Sequence, residues 1–294
     1  MQKTLVALVA LGSAQVQATP LSTVRRRDII EALPESASDD ELRFQPQLDF
    51  DSDGCYQTAA ISPDGTCNPG QDATGTPQGN CRDPRQLESS NTYSRKRCNN
   101  GYCAYMQVPL PLERIERDGG RGGERGRLDC IADGSTIPRL TRANRYEHYF
   151  EKDQAVLGSF LGGHRHEWEN IVVFTQAGST VRVAPSCHGK YDGASNEFPV
   201  DGTSPQLVYH KDGVATHCFR FANDDDISNP ANPTGSFFKA PLVGWDSWSD
   251  ESLRDTMLSN WSGGVGPKLD DEFTDSLRAA AGDYVPGFDP SVDE

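Results

Sequence analysis

The heptapeptide Gly163–Glu169, GHRHEWE, sets two histidines, two glutamates, an arginine and a tryptophan side by side, just ahead of the apolar run Ile171, Val172, Val173, Phe174. On an ideal strand His164, His166 and Trp168 point to one face and Arg165, Glu167 and Glu169 to the other. Burying so many polar and ionisable groups is costly unless partners compensate. Gly162 and Gly163 let the backbone turn tightly into the strand, so side chains of opposite parity can converge at its mouth. Asp153, upstream in Glu151, Lys152, Asp153, adds a further carboxylate. Carboxylates with one imidazole make a hard, oxygen-dominated site suited to Mg²⁺, Ca²⁺ or Mn²⁺. Two histidines with a glutamate would instead hold Zn²⁺ and activate water, as a hydrolase does, although the spacing is not that of the helical HExxH motif. The bland alternative is an ion-pair corner in which Arg165 meets Glu167 or Glu169.

The elements that must position this cluster read as strands. Phe44–Phe50, Glu169–Phe174, Thr180–Ala184, Gln206–His210 and His217–Phe221 are short, rich in β-branched and aromatic residues, and separated by Gly, Pro, Asp and Asn. That pattern predicts a mainly β fold, a central β-sandwich with flanking helices. Two helices are expected near the C-terminus. One opens at Ser249 with Leu253, Met257 and Leu258 on one face; the other carries Leu269, Phe273, Leu277 and Ala280 and stops at Gly282. Residues 107–145 stand apart. They contain no Phe, Trp or Tyr yet hold eight of the 21 arginines and the run Gly119, Gly120, Arg121, Gly122, Gly123, so they can bury little apolar surface and are expected to form a loop.

Lys3, the apolar run Leu5–Leu11 and the small residues Val16 and Ala18 read as a signal peptide spanning 1–18, which makes this an exported, extracellular chain. A flexible leader is expected over 19–41, with Arg25–Arg27 as an optional processing site, and a single domain over 42–294. In an exported chain eight cysteines point to disulfides. Cys55 with Cys81 flanks a Gly, Pro and Asp rich loop, Cys187 and Cys218 each lie near a strand end, and Cys98 with Cys103 brackets Asn99, Asn100, Gly101. The formal charge of -15 opposes binding to nucleic acid or simple adhesion to anionic lipid, and leaves cations and neutral sugars as partners. Asn260, Trp261, Ser262 is a glycosylation sequon.

GHRHEWE resembles the signature heptapeptide of the necrosis- and ethylene-inducing-peptide-like proteins (NLPs). The resemblance extends, in order, through RFQPQL at Arg43–Leu48, DGC at Asp53–Cys55 with Cys81, YFEKD at Tyr149–Asp153, DGTSPQLVYH at Asp201–His210 and the Trp245 region. It covers about Leu42 to Pro290. It implies a sandwich similar to actinoporin-like cytolysins and lectins. It also implies a divalent cation, Mg²⁺ or Ca²⁺, that serves recognition of the head-group sugar of plant glycosyl inositol phosphoceramide sphingolipids. The expected consequence is damage to the plasma membrane by a monomeric protein in peripheral, not integral, contact. The implied ligands are Asp153, His164, Glu167, directly or through water, and Glu169. Arg165, His166 and Trp168 support them, His217 lines the sugar-facing loop, and no catalytic residue is implied.

Two departures separate this chain from the family pattern. The loop before His217, where cytolytic relatives can carry an exposed Trp, reads Lys211, Asp212, Gly213, Val214, Ala215, Thr216, which weakens the expected hold on a membrane. Residues 107–145 interrupt a stretch the family runs unbroken, as an insertion or a translated intron. The leading expectation is therefore a secreted, cation-dependent cytolysin of plant-associated virulence. A non-cytolytic, lectin-like or immune-eliciting protein comes next and a metallohydrolase third.

Overall fold

In this computed structural model the described residues are 28–99, 141–158, 162–261 and 265–293. The expected signal peptide, the Arg25–Arg27 site, Cys103 and most of the expected insertion lie outside them. Among the described residues the strands form two sheets. The larger runs β5 (Ser179–Pro185), β4 (Gly163–Gln176), β3 (Thr141–Gln154), β2 (Thr92–Asn99), β9 (Leu242–Gly244). It is antiparallel except where β2 runs parallel to β9. In the smaller sheet β1 (Gln47–Phe50) lies parallel to β7 (Ser204–Lys211), which also pairs with β6 (Val200–Asp201) and β8 (His217–Phe221).

The two sheets face each other across the main core. Tyr146, Phe150, Ile171, Val173 and Val183 from the larger sheet pack on Leu48, Phe50, Leu207, Tyr209 and Phe219 from the smaller. Phe150 and Tyr209 stack with ring centroids 3.8 Å apart and planes 9° from parallel. The outer face of the larger sheet is also covered. Helix α4 (Glu251–Ser259) brings Leu253 and Met257 against Tyr93, Tyr149 and Trp168. Helix α5 (Phe273–Ala281) brings Phe273, Leu277 and Ala280 against Ala143, Val172 and Phe174. Burial on both faces explains why Ile171–Phe174 reads as an unbroken apolar run and not as an alternation. Trp245 and Trp248 pack here too: Trp248 stacks on Tyr93 and Trp245 carries the guanidinium groups of Arg95 and Arg254.

All five expected strands are present, although Phe44 closes a short helix, α1 (Asp39–Phe44), before β1 begins. Both C-terminal helices form, with Asp250 in place of Ser249 capping α4. The cysteine pairs 55–81 and 187–218 are disulfides, and Cys98 is buried within β2.

Two boundaries differ from expectation. Residues 28–41 are not a flexible leader. Leu33 is buried and exchanges backbone hydrogen bonds with the Asn91 side chain, the amides of Ser36 and Ala37 both donate to the Leu242 carbonyl, and buried Glu41 accepts from Ser38 and Ser94. The strap adds its own hydrogen bonds to β9, the edge strand of the larger sheet, which composition does not reveal. At the other boundary, Thr141–Arg145 belong to β3 and not to the insertion. Arg145 is fully buried in β3, where its Nε donates to Glu147 Oε1 at 2.6 Å.

If the strap is an integral part of the fold, Leu33→Ala removes a buried side chain and lowers the unfolding free energy by about 2–3 kcal/mol. Guanidinium unfolding of the two proteins measures this, and an unchanged midpoint would show that residues 28–37 are dispensable.

Candidate metal centre

The site grows from the turn end of the β3–β4 hairpin. The register pairs Asp153 with His164 and Gln154 with Gly163, so a carboxylate and an imidazole face each other at the last rungs of the ladder. Strict alternation would send Glu167 to the opposite face from His164. His166, with φ +64°, breaks that alternation, since a side chain in the left-handed region re-aims the residues on either side of it. His164 Nε2 consequently lies 3.1 Å from Glu167 Oε2. Ligand atoms of Asp153, His164 and Glu167 all fall within 4.8 Å of one another. Opposite parities do converge, and among the heptapeptide residues the left-handed one is His166.

Asp153 is held by three N–H donors. The Gln154 amide and His217 Nδ1 reach Oδ1 at 2.7 Å each, and the His217 amide reaches Oδ2 at 2.8 Å. His217 is therefore placed behind Asp153, with its side chain 2% exposed. Its Nε2 faces Asp53 Oδ1 at 3.6 Å. A Cβ added to Gly54 would stand 3.1 Å from His217 Cδ2, so the glycine of the DGC triplet is what lets the imidazole pack there.

The electrostatics call for a positive charge between these groups, from a proton or from an ion. Glu167 has its carboxyl pushed well above the usual range by burial first, and then by the charges of Asp153 and Glu169. His164 Nδ1 donates to the His166 carbonyl at 2.7 Å, which leaves Nε2 with a lone pair directed at the Glu167 carboxyl. A buried carboxylate facing an imidazole lone pair is repulsive unless a proton or a positive ion lies between them. Two carboxyls and a neutral imidazole also form the hard donor set that suits Mg²⁺, Ca²⁺ or Mn²⁺. When bound, such an ion supplies a Lewis-acidic centre with positions open to hydroxyl oxygens. Glu169 is not in the converging set. Its carboxyl accepts from Ser186 Oγ, and burial raises its pKa to about 7. It lies near enough for its charge to act on Glu167, behind the three converging groups.

The remaining heptapeptide residues brace the site. Arg165 donates to the Pro69 carbonyl at 2.7 Å and to Asp72, tying the heptapeptide to the loop after Cys67. Gly70 in that loop, at φ +62°, approaches so closely that a Cβ would lie 2.6 Å from the His166 ring. His166 Nδ1 meets the Tyr149 hydroxyl at 2.8 Å, and burial pushes its pKa down to about 4. Trp168 is buried among Tyr93, Tyr149 and Trp261. Sequence reasoning missed Ser186, Tyr149 and Gly70 as supporting residues. Tyr149 was visible as the first letter of YFEKD, whereas Ser186 and Gly70 carry no local signal. A second cluster, Cys187, His188, Asp212 and Cys218, has both sulfurs in a disulfide and so offers no thiolate.

This sandwich shares its fold with a group of solved structures, one of them described as a toxin fold and superimposing with a TM-score of 0.60 at 23% identity. A solved structure of Necrosis and Ethylene inducing Protein 2 from the causal agent of cocoa's witches' broom disease superimposes with a TM-score of 0.60 at 24% identity, covering 85% of this chain and 94% of that one. NLPPya in complex with mannosamine gives 0.58 at 23% identity, covering 85% and 95%. Non-toxic HaNLP3 gives 0.59 at 22% identity, covering 85% and 96%. In sequence the chain is 25% identical over 285 residues to NLP effector protein 3 of Phytophthora capsici, across 93% of this chain and 96% of that relative. The chain matches the family described as necrosis inducing protein (NPP1) over residues 38–108 and 137–280, and it belongs to that family. The gap in the match, 109–136, falls inside the segment expected to be an insertion.

Protonation of the buried carboxyls makes stability depend on both pH and cation. An acid whose pKa is raised on folding favours the native state most below its unfolded value, here 4.5, and that contribution is lost as pH climbs to about 7. His148 and His166, lowered to about 3 and about 4, act with the opposite sign below 6.5, so only a difference isolates the glutamate. Without added cation, Glu169→Gln should gain stability relative to wild type as the pH rises from about 5 to about 7. An excess of Mg²⁺ or Ca²⁺ at about 100-fold its Kd should add about 2.7 kcal/mol to wild type and nothing to Asp153→Asn. Thermal scans with and without EDTA measure both effects, and a flat response to either ion would remove the cation from the site.

Proposed function

We propose that the chain is a secreted effector that grips the head-group sugar of plant glycosyl inositol phosphoceramides through a divalent cation and damages the plasma membrane it docks on. Asp153, His164 and Glu167 hold the ion in this reading, with Glu169 shaping the field behind them. The observation that carries it is the convergence of these three side chains at a strand end where His164 remains 40% exposed. An inward-facing site would have room for the ion alone, whereas an open one leaves positions for hydroxyl oxygens. The complex of NLPPya with mannosamine supports a sugar as the ligand, and the relatives named NLP effector proteins support an extracellular setting. The function is binding and not turnover, carried out by a monomer in peripheral contact with the bilayer.

A second reading keeps the binding and drops the lysis. Val214 stands in the loop where cytolytic relatives can carry Trp, and the fold lies as near to non-toxic HaNLP3 as to the others. Dye release from plant plasma-membrane vesicles separates the two readings. A cytolysin releases dye in millimolar cation and stops in EDTA, while a lectin-like protein binds without release. In either case Asp153→Ala and His164→Ala should lose at least about tenfold in sugar-dependent binding, the cost attached even to partners that only support a metal ligand. Leaf infiltration of the same three proteins reads the outcome in tissue. Equal necrosis from all three discards the cation-centred account.

A further inference from the structure

Each cysteine of the 187–218 disulfide stands next in sequence to a residue that holds a buried carboxyl. Ser186 donates to Glu169, and His217 donates twice to Asp153. Around the sulfurs themselves lies a second set of polar groups that the cation site does not use. Asp212 Oδ2 is 3.9 Å from Cys187 Sγ and 3.2 Å from His188 Nε2. The other ring nitrogen of His188 meets the Thr216 hydroxyl at 3.4 Å, and His210 Nε2 stands 3.9 Å from Cys218 Sγ. One ligand atom from each of Cys187, His188, Asp212 and Cys218 lies within 4.8 Å of the other three.

The chemistry of this set differs from that of Asp153, His164 and Glu167. Two sulfurs, one imidazole and one carboxylate match the tetrahedral, thiolate-bearing sites of Zn²⁺, whereas Mg²⁺ and Ca²⁺ favour oxygen alone. Bonds of about 2.0–2.3 Å place tetrahedral ligand atoms about 3.5 Å apart. The imidazole and the carboxylate are already 3.2 Å apart, and breaking the S–S bond frees the two sulfurs to separate. A hydroxyl on the second nitrogen of His188 is the arrangement that orients a metal-bound imidazole. The corner is also accessible. Cys187 is partly exposed and His188 and Asp212 are exposed, while Cys55 and Cys81 of the other disulfide are 3% and 0% exposed. A cavity of about 450 Å³ opens onto all four residues of the set. An attacking thiolate therefore reaches the 187–218 bond before the 55–81 bond.

We propose that reduction converts this corner into a zinc site, with Cys187, Cys218, His188 and Asp212 as ligands. A dithiol reductant supplies two electrons and two protons. Its own thiols close to a disulfide, the bond between Cys187 Sγ and Cys218 Sγ breaks, and each protein sulfur takes one proton. The ion then binds the two sulfurs as thiolates and releases both protons. Reduction alone removes the covalent tie between the end of β5 and β8, next to both Ser186 and His217. Zinc restores that tie. None of Asp153, His164 and Glu167 takes part, so the site stands independently of the head-group reading.

The full chain, reduced anaerobically with dithiothreitol and desalted, tests the proposal. Alkylation mapped by mass spectrometry should find Cys187 and Cys218 opened with Cys55–Cys81 intact. Co²⁺ serves as the spectroscopic probe, and Zn²⁺ is titrated against a chromophoric chelator. The reduced protein should bind one ion per chain and show a thiolate-to-cobalt charge-transfer band. It should hold zinc at least about a hundredfold tighter than the oxidised protein, since two ligands are gained, and His188→Ala and Asp212→Ala should each weaken it at least about tenfold. Both variants leave the disulfide in place, so their oxidised forms should melt as wild type does. Reduction should lower the wild-type midpoint, and a slight excess of zinc should restore it. A reduced protein without the charge-transfer band overturns the proposal. So does a zinc affinity that ignores both alanine variants, which puts the ion on other thiols such as Cys67. Opening of Cys55–Cys81 ahead of the 187–218 bond overturns it as well, as does a near-UV circular dichroism signal lost on reduction and not recovered with zinc.

Discussion

The bond between Asp153 and His217 joins the two sheets at the point where function is concentrated. Asp153 sits near the end of β3 in the larger sheet, and His217 opens β8 in the smaller one. Both ring and backbone of His217 donate to the same carboxylate, so the aspartate cannot rotate without disturbing the sandwich edge. The disulfide from Cys218 to Cys187 fixes the next residue along β8, and Gly54 leaves the space into which the imidazole fits. A binding group placed in this way inherits the rigidity of the scaffold, the condition for holding ligand atoms within a few tenths of an ångström.

That rigidity has a cost. Asp153, Glu167 and Glu169 are all buried, and their charges act on one another. Such a cluster would be unfavourable as a purely structural device, because apolar residues of the same volume would pack without desolvating charge. The ion-pair corner that composition allows is not what forms. Arg165 turns away to Asp72 and the Pro69 carbonyl, leaving the carboxyls without a guanidinium partner. A site that keeps its acids together and sends its arginine elsewhere is arranged to receive a positive charge from outside the chain.

Much of this was legible in the sequence, and the parts that were not share a cause. Strand periodicity, turn residues and the two amphipathic C-terminal stretches are local signals, and β4, β5, β7, β8, α4 and α5 follow them. The heptapeptide and Asp153 were recognisable because ionisable residues rarely gather beside a buried strand without reason. What escaped depends on contacts between distant segments. Residues 30–41 pack onto the domain because Asn91 and Leu242, more than fifty and about two hundred residues away, offer them hydrogen bonds. Ser186 touches Glu169 from β5's far end, and Gly70 reaches His166 from a loop nearly a hundred residues earlier. The burial of His217 likewise follows from pairing with a strand end 64 residues away.

The segment that breaks the family pattern enters at the opposite end of the same strand. β2 ends at Asn99 and β3 begins at Thr141, so the chain between them is attached where Asn99 pairs with Thr141. Twelve residues of β3 separate Thr141 from Asp153, about 40 Å at the rise of an extended strand. Lengthening a connection between antiparallel neighbours costs only slowly increasing closure entropy, provided the rungs that flank it are kept. Those rungs are kept: Cys98 still pairs with Arg142, and Ala143 opposite Arg97 is fully buried. The departure from the family therefore leaves the ladder in register all the way to the metal centre. The geometry of Asp153, His164 and Glu167 depends on that register and is independent of what the chain does between residues 100 and 140.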